Sequence, residues 1–163
     1  MQYGNGKFVE NTWELQDCEI GKGVWRNFTD PDKRYGFTVF LPRAVFEEME
    51  DEGWYVKHKE KYAGDNREYS LDVALGFEFQ PPKITIITSD GASVIVTEEN
   101  VSLLQTADID RCDLIVRPRN WKKNGNSGVQ AWVDTMTVWL KEPRGKKRVV
   151  RASFDDRDEE EEE

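Results

Sequence analysis

Residues 111–140 read RCDLIVRPRNWKKNGNSGVQAWVDTMTVWL, and the rest of the chain is interpreted from them. Both halves are rich in β-branched and aromatic residues, and the turn-forming residues Asn124 to Gly128 separate them. The pattern predicts a long β-hairpin with a basic, glycine-containing tip. Because side chains alternate between the two faces of a strand, we expect Arg117, Arg119 and Trp121 on one face.

Charge is distributed unevenly along the chain. The 163 residues carry a formal net charge of −9, yet residues 111–151 hold eleven Lys or Arg against three acids, a net charge of +8. The last ten residues, FDDRDEEEEE, carry a net charge of −7. A run of like charges repels itself and has nothing to bury. We therefore expect a disordered acidic tail over residues 154–163, joined by a basic linker over residues 142–153.

The composition predicts one folded domain, over residues 1–141, because 37% hydrophobic and 12% aromatic residues can form a sizeable core. No apolar run approaches the roughly 18 residues that span a bilayer. The N-terminus also lacks the apolar region of a signal peptide, so we expect a cytoplasmic protein. Cys18 and Cys112 are interpreted as buried free thiols. With a single histidine and no close cysteine pair, we expect no zinc site and no other cofactor.

Short alternating segments predict a mostly β fold. The glycines at positions 21 and 23 indicate a bend of the kind that closes a barrel. A short helix is expected between Pro42 and Gly53, and a second one after Thr97. We favour an oligonucleotide-binding-like, five-stranded antiparallel barrel with extra hairpins and one or two short helices. A β-sandwich would produce much the same pattern.

Cations and aromatic rings alternate on several of the predicted strands, and one of these strands is expected to carry Tyr55, Lys57, Lys59 and Lys61 on one face. A protein that holds single-stranded nucleic acid without regard to sequence needs cations for the phosphates and rings for the bases, with each stack contributing roughly 1–3 kcal/mol. A tryptophan taken alone is more often part of a core than a ligand platform. The candidate DNA-binding residues are Trp25, Arg26, Tyr55, Lys57, Lys59, Arg117, Arg119, Trp121, Lys122, Lys123 and Trp132.

The acidic tail suggests a regulated interface. A short tether gives it an effective concentration on the order of millimolar near the basic segment, so it can compete for the groove. Nucleic acid releases condensed counterions and would displace it, leaving the tail available to a partner protein. The candidate partner-binding residues are Phe154, Asp155, Asp156, Asp158, Glu159, Glu160, Glu161, Glu162 and Glu163.

Five short segments carry a resemblance to a known family: VWRNF at 24–28, GWYVK at 53–57, PPKI at 81–84, DLIVRPRNW at 113–121 and GVQAWV at 128–133. The chain resembles bacteriophage single-stranded DNA-binding proteins with an oligonucleotide-binding fold and an acidic C-terminal tail. The resemblance implies a replication and recombination protein in the host cytoplasm, a monomer or homodimer, whose tail recruits polymerase, helicase-primase or nuclease. Related tails often end in an aromatic residue, whereas this one ends in five glutamates and its Phe154 precedes the acids.

Two other function classes are weighed against this one. A metal-dependent nuclease needs clustered carboxylates for magnesium, and Asp108 with Asp110 is the best local pair, with no basic residue expected beside it. An inhibitor that mimics DNA would use the acidic tail but would leave the basic hairpin without a role. We therefore expect a binding protein without enzymatic activity.

Overall fold

The computed structural model describes residues 5–21, 25–26, 35–77 and 80–141. Within this part the chain is mostly β, with two short helices, α1 (Arg43–Glu52) and α2 (Leu103–Thr106), and a 3₁₀ turn at Glu60–Tyr62. The strands are β1 (Trp13–Cys18), β2 (Trp25–Arg26), β3 (Tyr35–Phe40), β4 (Lys57–His58), β5 (Tyr69–Leu75), β6 (Lys83–Ile87), β7 (Ser93–Val96), β8 (Ile109–Lys123) and β9 (Asn126–Leu140). The mostly β fold with one or two short helices is confirmed. No helix among these residues is long and apolar enough to cross a bilayer.

Strands β8 and β9 form the predicted hairpin and pair antiparallel along their whole length. Its turn is shorter than predicted, because only Asn124 and Gly125 lie between the strands. Their φ angles are 52° and 79°, which is the backbone that a two-residue hairpin turn requires at both positions. Asn126 to Gly128, predicted as loop, are therefore the first residues of β9.

The sheet follows the order β1-β8-β9-β5-β3-β2, and the chain that leaves β1 also pairs with β3. Ile20 forms a bridge to Val39 of β3, and Gly21 N donates to Thr38 O at 2.9 Å. The same stretch of chain thus pairs first with β8 and then with β3, as the predicted bend requires. Gly23, the second predicted bend residue, lies outside the described residues.

This arrangement is consistent with an oligonucleotide-binding-like barrel. Its pairings are antiparallel except where β9 meets two strands in parallel, β5 at Val73–Ala131 and β6 from Lys83–Thr135 to Ile87–Trp139. The register shifts at Asp134, which is the extra residue between the two halves of β9. The half of β9 before Asp134 therefore pairs with β5 of the barrel. The half after Asp134 pairs with β6, and so holds the β6–β7 hairpin at the side of the barrel.

The core lies inside the barrel and beneath α1. Phe37, Leu71, Leu75 and Val116 are almost fully buried, and Met49 of α1 and Trp54, which is 1% exposed, belong to the same core. Helix α1 follows Pro42 and ends at Gly53, as predicted. A positive φ of 120° explains the glycine at that stop.

Cys18 and Cys112 face each other across β1 and β8, and both are buried free thiols, as predicted. Burial raises the pKa of Cys18 to about 11 and also raises that of Cys112.

The outer edge of β7 is blocked by a side chain. The Asn100 amide nitrogen donates to Ile95 O at 3.0 Å, and its oxygen accepts from Thr97 N at 2.7 Å. This double contact ties the segment after β7 back against the strand. The helix predicted to follow Thr97 consequently begins later, at Leu103.

Candidate nucleic-acid interface

The outer face of the hairpin brings the predicted cations and aromatic rings together. Arg117 lies opposite Trp132, Arg119 lies opposite Gln130, and Trp121 lies opposite Gly128. Directly opposed residues share a face of a sheet. The prediction that Arg117, Arg119 and Trp121 share one face is therefore confirmed, and Trp132 joins them from the partner strand.

The two arginines lie over the indole of Trp132. The Arg119 guanidinium carbon is 4.9 Å from the ring centroid, and that of Arg117 is 5.8 Å away. Arg117 Nη2 also donates to Gln80 O at 3.3 Å, while Trp132 Nε1 donates to Gln130 Oε1 at 3.2 Å. Guanidinium groups in this position are attracted to the negative face of the ring. The hairpin thus holds two positive charges side by side.

Trp132 itself is only 5% exposed, although it lies on the outer face of the sheet. The guanidinium groups above it cover the ring that a base would need. In this conformation Trp132 serves as the platform for the arginines, and its predicted contact with DNA stays a prediction.

The row of paired positions that contains Trp132 crosses the barrel. Ala74 of β5 lies next to Trp132, Gly36 of β3 lies next to Ala74, and Trp25 of β2 is paired with Gly36. Gly36 and Ala74 are small, so little side-chain volume lies between the Trp25 and Trp132 positions of this row. The side chains of Trp25 and Arg26 lie outside the described part, so their roles stay predictions.

The second predicted cationic segment, residues 54–62, differs from its prediction. Strand β4 ends at His58, and the 3₁₀ turn that follows removes Lys61 from the predicted line. Lys57 Nζ lies 2.5 Å from Asp72 Oδ2, which offsets its charge. Lys59 is exposed and Tyr55 is half-buried.

An N-terminal segment that the sequence analysis did not single out lies beside the hairpin tip. Val9 is buried, and its backbone N donates to Asn120 Oδ1 at 3.0 Å. Asn120 Nδ2 donates in turn to Val9 O at 2.6 Å. Trp121 is half-buried here and Lys122 is exposed, while the side chain of Lys123 lies outside the described part. An apolar Val9 within a polar terminus was the one signal for this contact.

The base of the hairpin carries charges of both signs. A cleft of about 770 Å³ is lined there by four acids and two cations, which are Asp17, Glu19, Asp108, Asp110, Arg111 and Lys141. The expectation that no basic residue lies beside the Asp108–Asp110 pair is wrong, because Lys141 Nζ is 3.7 Å from Asp108 Oδ1. The described residues contain no group of three or more potential ligands that could hold a metal ion. The basic linker and the acidic tail, residues 142–163, lie outside the described part.

Comparison with known proteins identifies the family. The model of a family described as "Putative phage ssDNA-binding domain" matches residues 10–162. The chain belongs to this family. The resemblance to bacteriophage single-stranded DNA-binding proteins is thereby confirmed, and the chain is a phage single-stranded DNA-binding domain. No curated protein matches this chain.

Solved structures agree on the fold. The single-stranded DNA-binding protein from bacteriophage Enc34 aligns with a TM-score of 0.51 at 11% identity, covering 92% of this chain and 97% of that one. Its C-terminal truncation aligns with the same TM-score at 8% identity, covering 88% and 97%. The single-stranded DNA-binding protein encoded by bacteriophage T7 gives 0.47 at 10% identity, covering 88% and 99%. At such identities the Enc34 alignments establish the fold alone.

Proposed function

We propose that this family member coats single-stranded DNA without sequence preference, through the outer face of the β8–β9 hairpin. In this proposal Arg117 and Arg119 contact phosphates, and Trp121 stacks on a base. The observation that carries the proposal is the pair of guanidinium groups held over Trp132, of which that of Arg119 belongs to a residue two positions from Trp121.

The physical argument is pre-organisation. Free arginine side chains lose rotamer entropy when they bind a phosphate. Contact with the Trp132 indole removes much of that freedom before DNA arrives. Phosphate contacts carry no sequence information, and every base has a face that can stack, so such a surface is tolerant of sequence. Lys122 and Lys123 at the tip would add further phosphate contacts.

The remaining predicted contacts belong to the edges of this interface. Trp25 and Arg26 would extend it across the row that includes Gly36 and Ala74. Lys59 and Tyr55 would meet the strand on the far side of the barrel. Lys57 would contribute less, because Asp72 already neutralises it.

The chain ends add regulation. We assign residues 1–141 to the DNA-binding domain, residues 142–153 to a basic linker and residues 154–163 to a disordered acidic tail. The tail would compete with DNA for the basic face and, when displaced, would recruit polymerase, helicase-primase or nuclease in phage replication and recombination in the host cytoplasm. The segregated charges of +8 and −7 support this part of the proposal.

Tryptophan fluorescence titrated with poly(dT) at several salt concentrations tests the proposal. We expect quenching, since stacking on bases alters indole emission. The logarithm of affinity should fall linearly with the logarithm of salt concentration, by about 0.7 for each phosphate neutralised on a single strand. Absence of binding at low salt would refute the proposal and favour an acidic inhibitor that mimics DNA.

A further inference from the structure

A cavity opens between the N-terminal segment and the hairpin tip, beside the proposed phosphate contacts. It measures about 230 Å³, and Phe8, Trp121, Lys122, Ser127 and Gly128 are among its lining residues. A water needs only about 10–15 Å³ on this measure, whereas pockets for drug-sized ligands begin near 300 Å³. The space is therefore large enough for one small ring system.

Phe8 stands out among the apolar side chains because it is exposed while both of its neighbours in the chain are anchored by hydrogen bonds. It is 78% exposed. On one side of it, Lys7 Nζ donates to Asp51 O at 2.9 Å, and on the other, Val9 makes two hydrogen bonds with Asn120. The anchors lie immediately before and after Phe8 in the sequence. Scattered exposed apolar residues need no explanation, but this one is held at the mouth of a cavity that has a second aromatic ring in its wall.

On the partner strand, β9, one of the residues that line the cavity is a glycine. Gly128 lies directly opposite Trp121 and brings no side chain to that position. The cavity is thus bordered by aromatic rings from two separate segments, with the exposed Lys122 at its rim. Aromatic rings together with a nearby cation are what an unstacked base and its phosphate require.

The cavity is continuous with the proposed interface. Trp121 follows Arg119 by two residues on the same face of β8, so the two positions are about 6.6 Å apart along the strand. A nucleotide whose base entered the cavity would therefore place its phosphate within reach of Arg119 or Lys122.

We infer that this cavity binds one unstacked nucleobase of the single strand, with Phe8 and Trp121 as its aromatic walls. The inference rests on the proposed function and adds to it a residue, Phe8, that lies outside the hairpin. It also gives the ordered N-terminal segment a role, which is to position Phe8 against the hairpin tip.

The test uses the full chain and two oligonucleotides of equal length, oligo(dT) and an abasic deoxyribose-phosphate strand. Phe8→Ala should weaken oligo(dT) binding about 5- to 150-fold, the equivalent of the roughly 1–3 kcal/mol of one stack. The same substitution should leave abasic-strand binding and the salt slope unchanged, because no phosphate contact is lost. Phe8→Trp should restore binding.

Ile95→Ala is the matched control, since Ile95 is a 66% exposed hydrophobic residue outside the interface, and it should bind oligo(dT) like the wild type. Thermal unfolding should be the same for Phe8→Ala and the wild type, because so exposed a side chain contributes little to packing. Equal oligo(dT) affinity for Phe8→Ala and the wild type would overturn the inference, and so would an equal loss on the abasic strand. Failure of the wild type to bind oligo(dT) at all would instead overturn the proposed function.

Discussion

Removing the two guanidinium groups above Trp132 should change the salt dependence of DNA binding. In the double variant Arg117→Gln, Arg119→Gln, two phosphate contacts are lost, so the slope of log affinity against log salt should become shallower by about 1.4. Between about 50 and 200 mM salt, the ratio of wild-type to variant affinity should therefore shrink about sevenfold. Anisotropy of a labelled oligo(dT) measures this without relying on the emission of Trp132.

Two further variants separate charge from position. Arg43→Gln removes the same charge from an exposed position on α1, where Arg43 is paired only with Glu47 among the described ion pairs, and it should leave the slope unchanged. Arg119→Lys keeps the charge but loses the planar contact with Trp132, so it should keep the slope and lower the affinity at every salt concentration. A double variant with the wild-type slope would show that these arginines do not neutralise phosphates, and the assignment of the interface would be wrong.

Three other predictions concern the tail, the N-terminal segment and the cysteines. Removing residues 154–163 should tighten single-strand binding at low salt and much less at high salt; equal affinities across the salt series would exclude competition by the tail. Asn120→Ala removes two hydrogen bonds to the backbone of Val9 and should lower the free energy of unfolding in urea by about 1–3 kcal/mol, whereas Asn66→Ala, at an exposed position, should have little effect. A Cys18 pKa of about 11 means that at pH 8 about one thiol in a thousand is ionised. Alkylation should therefore be slow in the folded protein and fast in denaturant, and rapid labelling of the native chain would contradict the burial of this thiol.

Much of the hairpin could be predicted because alternation is a local property. The face shared by Arg117, Arg119 and Trp121 follows from residue spacing alone. The contact with Trp132 was also within reach, since an Asn-Gly turn at residues 124–125 fixes the register and places Arg117 opposite Trp132. It was missed because five residues were assigned to the loop instead of two.

A second local pattern, the alternation of apolar residues along β9, indicates the position of the extra residue in that strand. Apart from Trp132 and Trp139, the apolar residues of β9 are odd-numbered up to Val133 and even-numbered from Met136 onward. Such a change of parity indicates one extra residue in a strand. The shift at Asp134, which divides β9 between the barrel and the β6–β7 hairpin, could therefore have been located in the sequence.

Other contacts depend on which strands become neighbours, and no local pattern carries that information. The neutralisation of Lys57 by Asp72 requires β4 to lie beside β5, and the pairing of Val9 with Asn120 joins residues 111 positions apart. The line of cations expected over residues 54–62 failed for a related reason. Its spacing fits a strand, but the chain turns after His58.

The Asn100 contacts at the edge of β7 matter most when many copies are crowded together. Proteins that line up on one DNA strand reach high local concentrations, and exposed strand edges then tend to pair with one another and aggregate. The Asn100 amide already occupies the backbone groups of Ile95 and Thr97 that a neighbouring strand would need. If copies of the protein bind side by side on DNA, as proposed, the Asn100 side chain thus protects this edge of β7 against strand pairing between them.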